Sequence, residues 1–266
     1  MLNLQFSTEN GLTDFLPVPA VAETKPQAMQ VIVFSSQKGG SGKTTLCGQL
    51  AVQAEIVGAG PVAVVDTDPQ GSLSDWWNAR EAETPLFMKA QVDYLHEDLR
   101  QLERTGVKLV FIDTPPAVTD TIRQIVAYAD LVIVPTRPSP HDLRAVGATL
   151  DIIDGQRKPL IFAVNAASRA KITSDTAVAL SQHGTVAPVI VKQRTDFATS
   201  MIHARSVVET KLASRSAGEI SDPWRSIDSR LDKDDHHVTR GTGVFQQPRN
   251  NGFGRRKATA PEVIVR

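Results

Sequence analysis

The chain has 266 residues, 41% of them hydrophobic, and its 29 basic side chains are balanced by 29 acidic ones. Such a composition suits a globular protein with a large core, and zero net charge excludes a protein that finds nucleic acid by overall charge, so any such contact needs a local patch. The single cysteine, Cys47, excludes a disulfide framework and a multi-cysteine metal site within one chain. No stretch approaches the roughly 18 apolar residues of a membrane span, so we expect a cytoplasmic protein.

The predicted elements begin after a leader. Residues 1–28 carry three prolines and no sustained period, which predicts a flexible segment. Short apolar runs then alternate with helical segments. The predicted strands are 31–34, 62–65, a short one near Phe87, 109–112, 131–134, 160–164 and 186–191, and the predicted helices include 46–56, 119–128, 142–153 and 174–182. Because apolar runs without alternation are typical of parallel strands buried on both faces, we predict one doubly wound α/β domain over residues 29–232, with helices on both faces of a mostly parallel sheet.

The C-terminal segment differs in composition from the rest of the chain. From residue 236 onward it holds six basic side chains against one acidic one, among several glycines and prolines. Since such a segment cannot bury enough apolar surface to offset the entropy of ordering, residues 233–266 are predicted to be a basic, disordered tail.

A glycine-rich loop joins the first predicted strand to the first helix. It reads Ser35-Ser-Gln-Lys-Gly-Gly-Ser-Gly-Lys-Thr-Thr45. Glycines allow backbone N–H groups to turn around phosphate oxygens, and the helix N-terminus adds a positive dipole end. Lys43 is placed to reach the β- and γ-phosphates and Thr44 to bind Mg²⁺. The predicted nucleotide site therefore comprises Gly39, Gly40, Ser41, Gly42, Lys43, Thr44 and Thr45.

The loop departs from the usual phosphate loop at two positions. Gln37 stands where the first glycine is expected, and the extra lysine Lys38 precedes a glycine pair. In this the chain resembles the ParA/MinD superfamily of ATPases, the P-loop NTPases with a deviant Walker A loop of the form K-G-G-x-x-K-[ST]. The resemblance implies that ATP and Mg²⁺ bind here and that Lys38 crosses a dimer interface to the phosphates of the other subunit.

Two aspartate-containing segments fit the same resemblance. They read Val65-Asp-Thr-Asp-Pro-Gln-Gly-Ser72 and Phe111-Ile-Asp-Thr-Pro-Pro116, each at the end of a predicted strand. Carboxylates at the carboxyl ends of parallel strands lie beside the ligand crevice of an open α/β sheet. The resemblance implies that Asp68 positions the attacking water and is catalytic with Lys38 and Lys43, and that Asp113 and Asp66 join Thr44 around the metal.

The resemblance is nearest to the small ParF-like partition ATPases and extends through residues 129–142, 193–209 and 218–220. In that family the nucleotide base packs close to the position of Asn165. This side chain could bind an adenine edge, and it could equally cap a turn.

The function that the resemblance implies is ATP-dependent positioning of a cargo. An ATP-bound homodimer would bind the nonspecific DNA of the nucleoid, and a cargo- or centromere-binding partner would stimulate its slow ATP hydrolysis, which would segregate or position a plasmid or other cargo. No membrane contact is expected. Because the net charge is zero, the DNA contact must come from a basic patch on the surface. The candidates for this patch are Lys192, Arg194, Arg205, Lys211 and Arg215.

Two alternative functions stay open. A MinD-like, membrane-associated regulatory ATPase would need a C-terminal amphipathic helix, whereas residues 252–266 contain Gly and Pro and show no helical period. A metabolic ATP-dependent enzyme on the same fold, such as a dethiobiotin-synthetase-like ligase, is not excluded by individual residues, although the ParF-like segments argue against it.

Overall fold

A computed structural model describes residues 28–168, 171–210 and 213–237. The strands of this part of the chain are β1 (Gln30–Phe34), β2 (Val62–Asp66), β3 (Leu86–Lys89), β4 (Leu109–Asp113), β5 (Leu131–Thr136), β6 (Leu160–Val164) and β7 (Thr185–Val186). They form one parallel sheet in the order β3-β2-β4-β1-β5-β6-β7. The doubly wound α/β fold with a mostly parallel sheet, predicted from the sequence, is confirmed, and every strand pairing of the described residues is parallel.

Helices connect the strands and cover the sheet. They are α1 (Lys43–Ile56), α2 (Ser72–Asn78), α3 (Leu95–Arg104), α4 (Asp120–Ala127), α5 (Pro140–Gly155), α6 (Lys171–Ser181), α7 (Thr195–Ile202), α8 (Val207–Thr210) and α9 (Arg215–His237). Within the described residues, no helix is both long and apolar enough to cross a membrane.

The apolar strands bury both of their faces. In β1, Ile32 and Phe34 belong to the core on the side of α1 and α9, whereas Val31 and Val33 belong to the core on the opposite side, with α3 and α4. Successive side chains of a strand point to opposite faces, so a strand covered on both sides has no polar alternation. This is the physical reason why the runs of the sequence are continuously apolar.

The last strand is shorter than the sequence predicts. The run 186–191 was expected to be a strand, but β7 ends at Val186. Pro188 follows shortly afterwards, and proline has no N–H to donate to a sheet ladder. The chain returns to the neighbouring strand only at Val191, whose N–H donates to the Val164 carbonyl at 3.0 Å.

The terminal segments predicted from the sequence lie almost wholly outside the described residues. This applies to the leader and to the tail beyond His237, and so to the segment 252–266 on which the membrane-associated alternative depends. The last helix, α9, continues to His237.

The register of the central strands brings their carboxyl ends to one level. Asp113 at the end of β4 pairs with Phe34 at the end of β1 and with Asp66 at the end of β2. The strand order places β4 and β5 on the two sides of β1. Ligands of open α/β sheets bind at such a topological switch point.

Candidate functional site

The phosphate loop between β1 and α1 depends on a glycine immediately before the helix. Gly42 has φ = +97°, a conformation that side chains disfavour, and a Cβ atom there would lie 2.0 Å from Nδ2 of Asn165. Any other residue at this position would be strained and would also collide with a buried amide. The loop can therefore close over the start of α1 only with glycine here.

Asn165 supports this loop from the end of β6. Its Nδ2 donates a 2.8 Å hydrogen bond to the carbonyl oxygen of Ser41, and its own N–H donates to the carbonyl of Thr136 at the end of β5. The side chain is almost fully buried. The sequence left open whether Asn165 binds an adenine edge or caps a turn. The structure shows that it supports the phosphate loop through Ser41, and the contact with an adenine edge stays a prediction.

Lys43 and Thr44 open α1 beneath the loop. Burial lowers the pKa of Lys43, which is only 6% exposed, while the carboxylates of Asp113 and Asp68 act in the opposite direction. The hydroxyl of Thr44 donates a 2.6 Å hydrogen bond to Oδ2 of Asp113. The three side chains that sequence patterns assign to phosphate and metal chemistry are thus within reach of one another.

Asp113 is a buried carboxylate at the end of β4. Its side chain is fully buried, and Oδ1 has no hydrogen-bond partner among the described residues. Burial raises the pKa of Asp113 to about 7, against the hydrogen bond from Thr44 and the charge of Lys43. A carboxylate oxygen and a hydroxyl oxygen at this distance fit Mg²⁺, which is commonly held by one or two protein oxygens, waters and substrate phosphates.

Asp66 is held by the protein through both of its carboxylate oxygens, which accept hydrogen bonds. Its place near the metal, which the resemblance implies, stays a prediction. Oδ1 accepts from the N–H of Asp68 at 3.0 Å, and Oδ2 accepts from the N–H and Oγ of Ser74 at 2.8 and 2.5 Å. The carboxylate therefore fixes the loop after β2 to the first turn of α2. Ser74 was not singled out from the sequence, because nothing in the spacing marks it.

Asp68 lies at the turn of that loop, half-buried and on the side of Lys43. Its Oδ1 accepts a 2.9 Å hydrogen bond from the N–H of Gln70. The preceding residue, Thr67, donates through Oγ1 to the carbonyl oxygen of Asp113 at 2.6 Å. The loop is thus attached to β4, and Asp68 is held close to the phosphate loop.

Lys38 lies on the exposed side of the phosphate loop. Its N–H donates a 3.4 Å hydrogen bond to Oγ of Ser36, and Gly39 beside it approaches Pro116 in the loop after β4. Of the other predicted nucleotide contacts, Ser41 is buried and its Oγ has no partner among the described residues, whereas Thr45 is half-buried in α1.

Four of the five basic residues predicted to contact DNA lie among the described residues. Arg194 is engaged in an ion pair, since its Nη2 lies 2.6 Å from Oε1 of Glu219, and the backbone N–H of Lys192 donates to the same carboxylate. Arg205 forms a longer, exposed pair with Glu81, which follows α2. Arg215 is exposed at the start of α9, and Lys211 lies outside the described residues.

A sequence profile described as the CobQ/CobB/MinD/ParA nucleotide-binding domain matches residues 32–222, which include all the strands except the start of β1. The chain belongs to this family. The resemblance to the ParA/MinD ATPases inferred from the loop is thereby confirmed, and the assignment of the individual nucleotide-binding residues stays a prediction. The proximity to the ParF-like branch stays a prediction.

Two curated members of the family show sequence similarity to the chain. It is 33% identical to the maintenance of carboxysome distribution protein A of Halothiobacillus neapolitanus over 136 residues, which are 48% of this chain and 59% of that protein. It is 30% identical to the protein ParA of Rhizobium radiobacter over 127 residues, 47% of this chain and 56% of that protein. The matched part of the chain thus spans little more than half the length of these relatives.

Solved structures of the ParA/MinD family share the fold. Apo McdA from Cyanothece superposes with a TM-score of 0.62 at 16% identity, covering 76% of this chain and 99% of that one. The septum site-determining protein MinD from Pyrococcus horikoshii, in complex with Mg-ADP, gives a TM-score of 0.64 at 17% identity, covering 76% of this chain and 97% of that one. At such low identity these likenesses concern the fold alone.

Proposed function

We propose that this ParA/MinD-family protein is a slow ATPase that forms a dimer around two ATP molecules, binds nonspecific DNA as a dimer and is released when a partner protein stimulates hydrolysis. The observation that carries the proposal is the exposed Lys38 at the mouth of a loop whose own phosphate-binding lysine, Lys43, is buried. In this proposal Lys43 serves the phosphates of its own subunit, and the exposed side chain of Lys38 serves those of the other subunit.

The hydrolytic step is assigned to residues around the phosphate loop. Lys43 would balance the β- and γ-phosphates, and the hydroxyl of Thr44 and the carboxylate of Asp113 would hold Mg²⁺. Bound Mg²⁺ would neutralise the charge that develops between these phosphates. Asp68, half-buried and on the side of Lys43, would accept a hydrogen bond from the attacking water and orient it.

The link between nucleotide and DNA is proposed to run through α1. Gln49 of this helix is fully buried, and its Nε2 donates to Oγ of Ser200 at 3.0 Å. Its Oε1 accepts from Oγ of Ser206 at 2.7 Å and from the N–H of Val207 at 2.8 Å. The helix that begins at the phosphate loop is therefore bonded to both sides of the segment that carries Arg205.

The DNA-binding surface is proposed to include the basic residues that keep free donors. Arg215 is exposed, and the side chain of Lys192 is half-buried. Arg205 has only an exposed pair, which contributes little to stability and is easily exchanged for phosphate. Two copies of this weak patch in one dimer would add their phosphate contacts, which would make DNA binding depend on ATP.

The cargo is proposed to be a plasmid or a protein assembly, bound through a separate partner protein, and the site of action the nucleoid in the cytoplasm. The names of the two curated relatives support both kinds of cargo, since one maintains carboxysome distribution and the other is a ParA.

Light scattering after size-exclusion chromatography tests the proposal. With ATP and Mg²⁺ the wild-type protein should be a dimer. Lys38→Ala should stay monomeric yet bind ATP in calorimetry, Lys43→Ala should bind no ATP, and Asp68→Ala should form a long-lived dimer because hydrolysis is blocked. Normal ATP-dependent dimerisation of Lys38→Ala would refute the role of this lysine between subunits.

A further inference from the structure

A third cationic side chain, besides Lys38 and Lys43, lies beside the phosphate loop. Arg137 follows the last residue of β5, and Asp142 of α5 holds one edge of its guanidinium group. Nε lies 3.1 Å from Oδ1 of Asp142 and Nη2 lies 3.5 Å from Oδ2. Asp142 is itself only 3% exposed and accepts a 2.5 Å hydrogen bond from Oγ of Ser139. The carboxylate is thus fixed, and the plane of the guanidinium group is fixed with it.

The remaining donor of Arg137 points to the loop. Its Nη1 lies 3.8 Å from the position that a Cβ atom would take at Gly40, which has φ = +71°. No acceptor bonds Nη1 among the described residues, and the side chain is 38% exposed. A planar guanidinium group held along one edge therefore presents its other edge beside the glycines of the loop.

The surroundings of this free edge favour an anion. Gly40 belongs to the loop that binds phosphate, and Lys38 stands two residues before it. Two cations beside the same glycine pair repel each other unless an anion lies between them.

We propose that Nη1 of Arg137 donates a hydrogen bond to a phosphate oxygen of bound ATP, which makes Arg137 a further phosphate-binding residue beside Lys38 and Lys43. The inference rests on the nucleotide site of the proposed function. The phosphate belongs either to the nucleotide in the same subunit or to the nucleotide across the dimer, and the two sources give different results below.

Arg137→Ala tests this inference, with Arg144→Ala as the matched control. Arg144 lies in α5, is exposed and has no hydrogen-bond or ion-pair partner among the described residues, so its removal changes the charge equally without touching the loop.

Calorimetry measures the affinity for ATP and ADP, and light scattering measures the ATP-dependent dimer. A contact in the same subunit predicts ATP binding that is about tenfold weaker, the loss expected for one charge-assisted hydrogen bond. A contact across the dimer predicts two results. In the monomeric Lys38→Ala background, Arg137→Ala leaves the ATP affinity unchanged. When Lys38 is present, the dimer of Arg137→Ala dissociates about tenfold more readily than the wild-type dimer.

A second variant separates phosphate binding from folding. Because Arg137→Ala leaves Asp142 buried without its partner, the double variant Arg137→Ala/Asp142→Asn removes both charges, and Asp142→Asn alone is its reference. The double variant is compared with Asp142→Asn, and Arg137→Ala is compared with the wild-type protein. If both comparisons show the same loss of ATP affinity or of dimer, the contact is supported. If Arg137→Ala and Arg144→Ala match in affinity and in dimerisation while Lys43→Ala abolishes ATP binding, the inference about Arg137 is wrong and the nucleotide site stands. If the wild-type protein binds no ATP, the proposed function itself fails.

Discussion

Replacing Asp113 by Asn should stabilise the protein in the absence of nucleotide, and the gain should grow with pH. Asp113 is fully buried, its Oδ1 has no partner among the described residues, and burial raises its pKa to about 7 from the ordinary value of 3.8. Asn keeps the shape of the side chain and an oxygen that can accept the hydrogen bond from Thr44. It removes a buried negative charge whose desolvation is offset only in part by the hydrogen bond from Thr44 and the charge of Lys43.

The sign and size of the effect follow from proton linkage. Between the unfolded and folded pKa values the folded state binds more protons, so the stability of the wild type falls as the pH rises from about 4 to about 7. The difference of about three units between the folded and unfolded pKa values lowers the free energy of unfolding of the wild type by about 4 kcal/mol above pH 7. About 1.5 kcal/mol of this loss is already present at pH 5. The advantage of Asp113→Asn should therefore increase by about 2.5 kcal/mol between pH 5 and pH 8.

Urea denaturation of the nucleotide-free protein at the two pH values measures this difference. Asp154→Asn, which removes an exposed carboxylate from α5, is the matched control and should show no such increase. A pH-independent difference between wild type and Asp113→Asn would refute the raised pKa. Loss of Mg²⁺-dependent ATP binding in the same variant would in turn support the metal role of Asp113.

Three further substitutions test contacts around the loop. Gly42→Ala should abolish ATP binding in calorimetry, because its Cβ would lie 2.0 Å from Nδ2 of Asn165. Asn165→Ala should weaken ATP and GTP binding alike, by about tenfold, since it removes the 2.8 Å bond to Ser41; a selective loss of ATP would indicate base recognition instead. Ser74→Ala should lower the free energy of unfolding by about 1–3 kcal/mol in urea, because buried Asp66 loses a donor, and an unchanged value would contradict this.

The parts of the site that share a stretch of sequence could be predicted from it. The loop at 35–45 contains its glycines, both lysines and the predicted metal ligand Thr44 within eleven residues, and the chemistry predicted for it follows from their spacing. Asp113 could be placed because a strand-end carboxylate of a parallel sheet must lie at the same edge as the loop.

Contacts between distant residues could not be predicted in this way. The hydrogen bond from Asn165 to Ser41 joins residues 124 positions apart, and the one from Ser206 to Gln49 joins residues 157 positions apart. The sequence alone does not show whether a short polar side chain caps a turn or supports a loop. Its hydrogen-bond partner is determined by the tertiary packing.

Some of the fold was missed although the sequence carries a signal. Ile220, Trp224, Ile227 and Leu231 recur at helical spacing and are buried on the side of α1, so the central part of α9 could have been delimited. Likewise Pro188 marks the place where the predicted strand 186–191 stops pairing. In both cases a local pattern was available, whereas the orientation of Asp66 toward α2 had none.

Binding of a fluorescent DNA duplex, followed by anisotropy over a range of salt concentrations with ATP and with ADP, tests the proposed function most directly. We expect the protein to bind DNA with ATP and not with ADP. The logarithm of the binding constant should fall with the logarithm of the salt concentration, with a slope near −0.9 per phosphate neutralised. Lys38→Ala should lose this binding because it cannot form the dimer. Equal binding with ADP and ATP, or unchanged binding by Lys38→Ala, would contradict a DNA site that depends on the ATP-bound dimer.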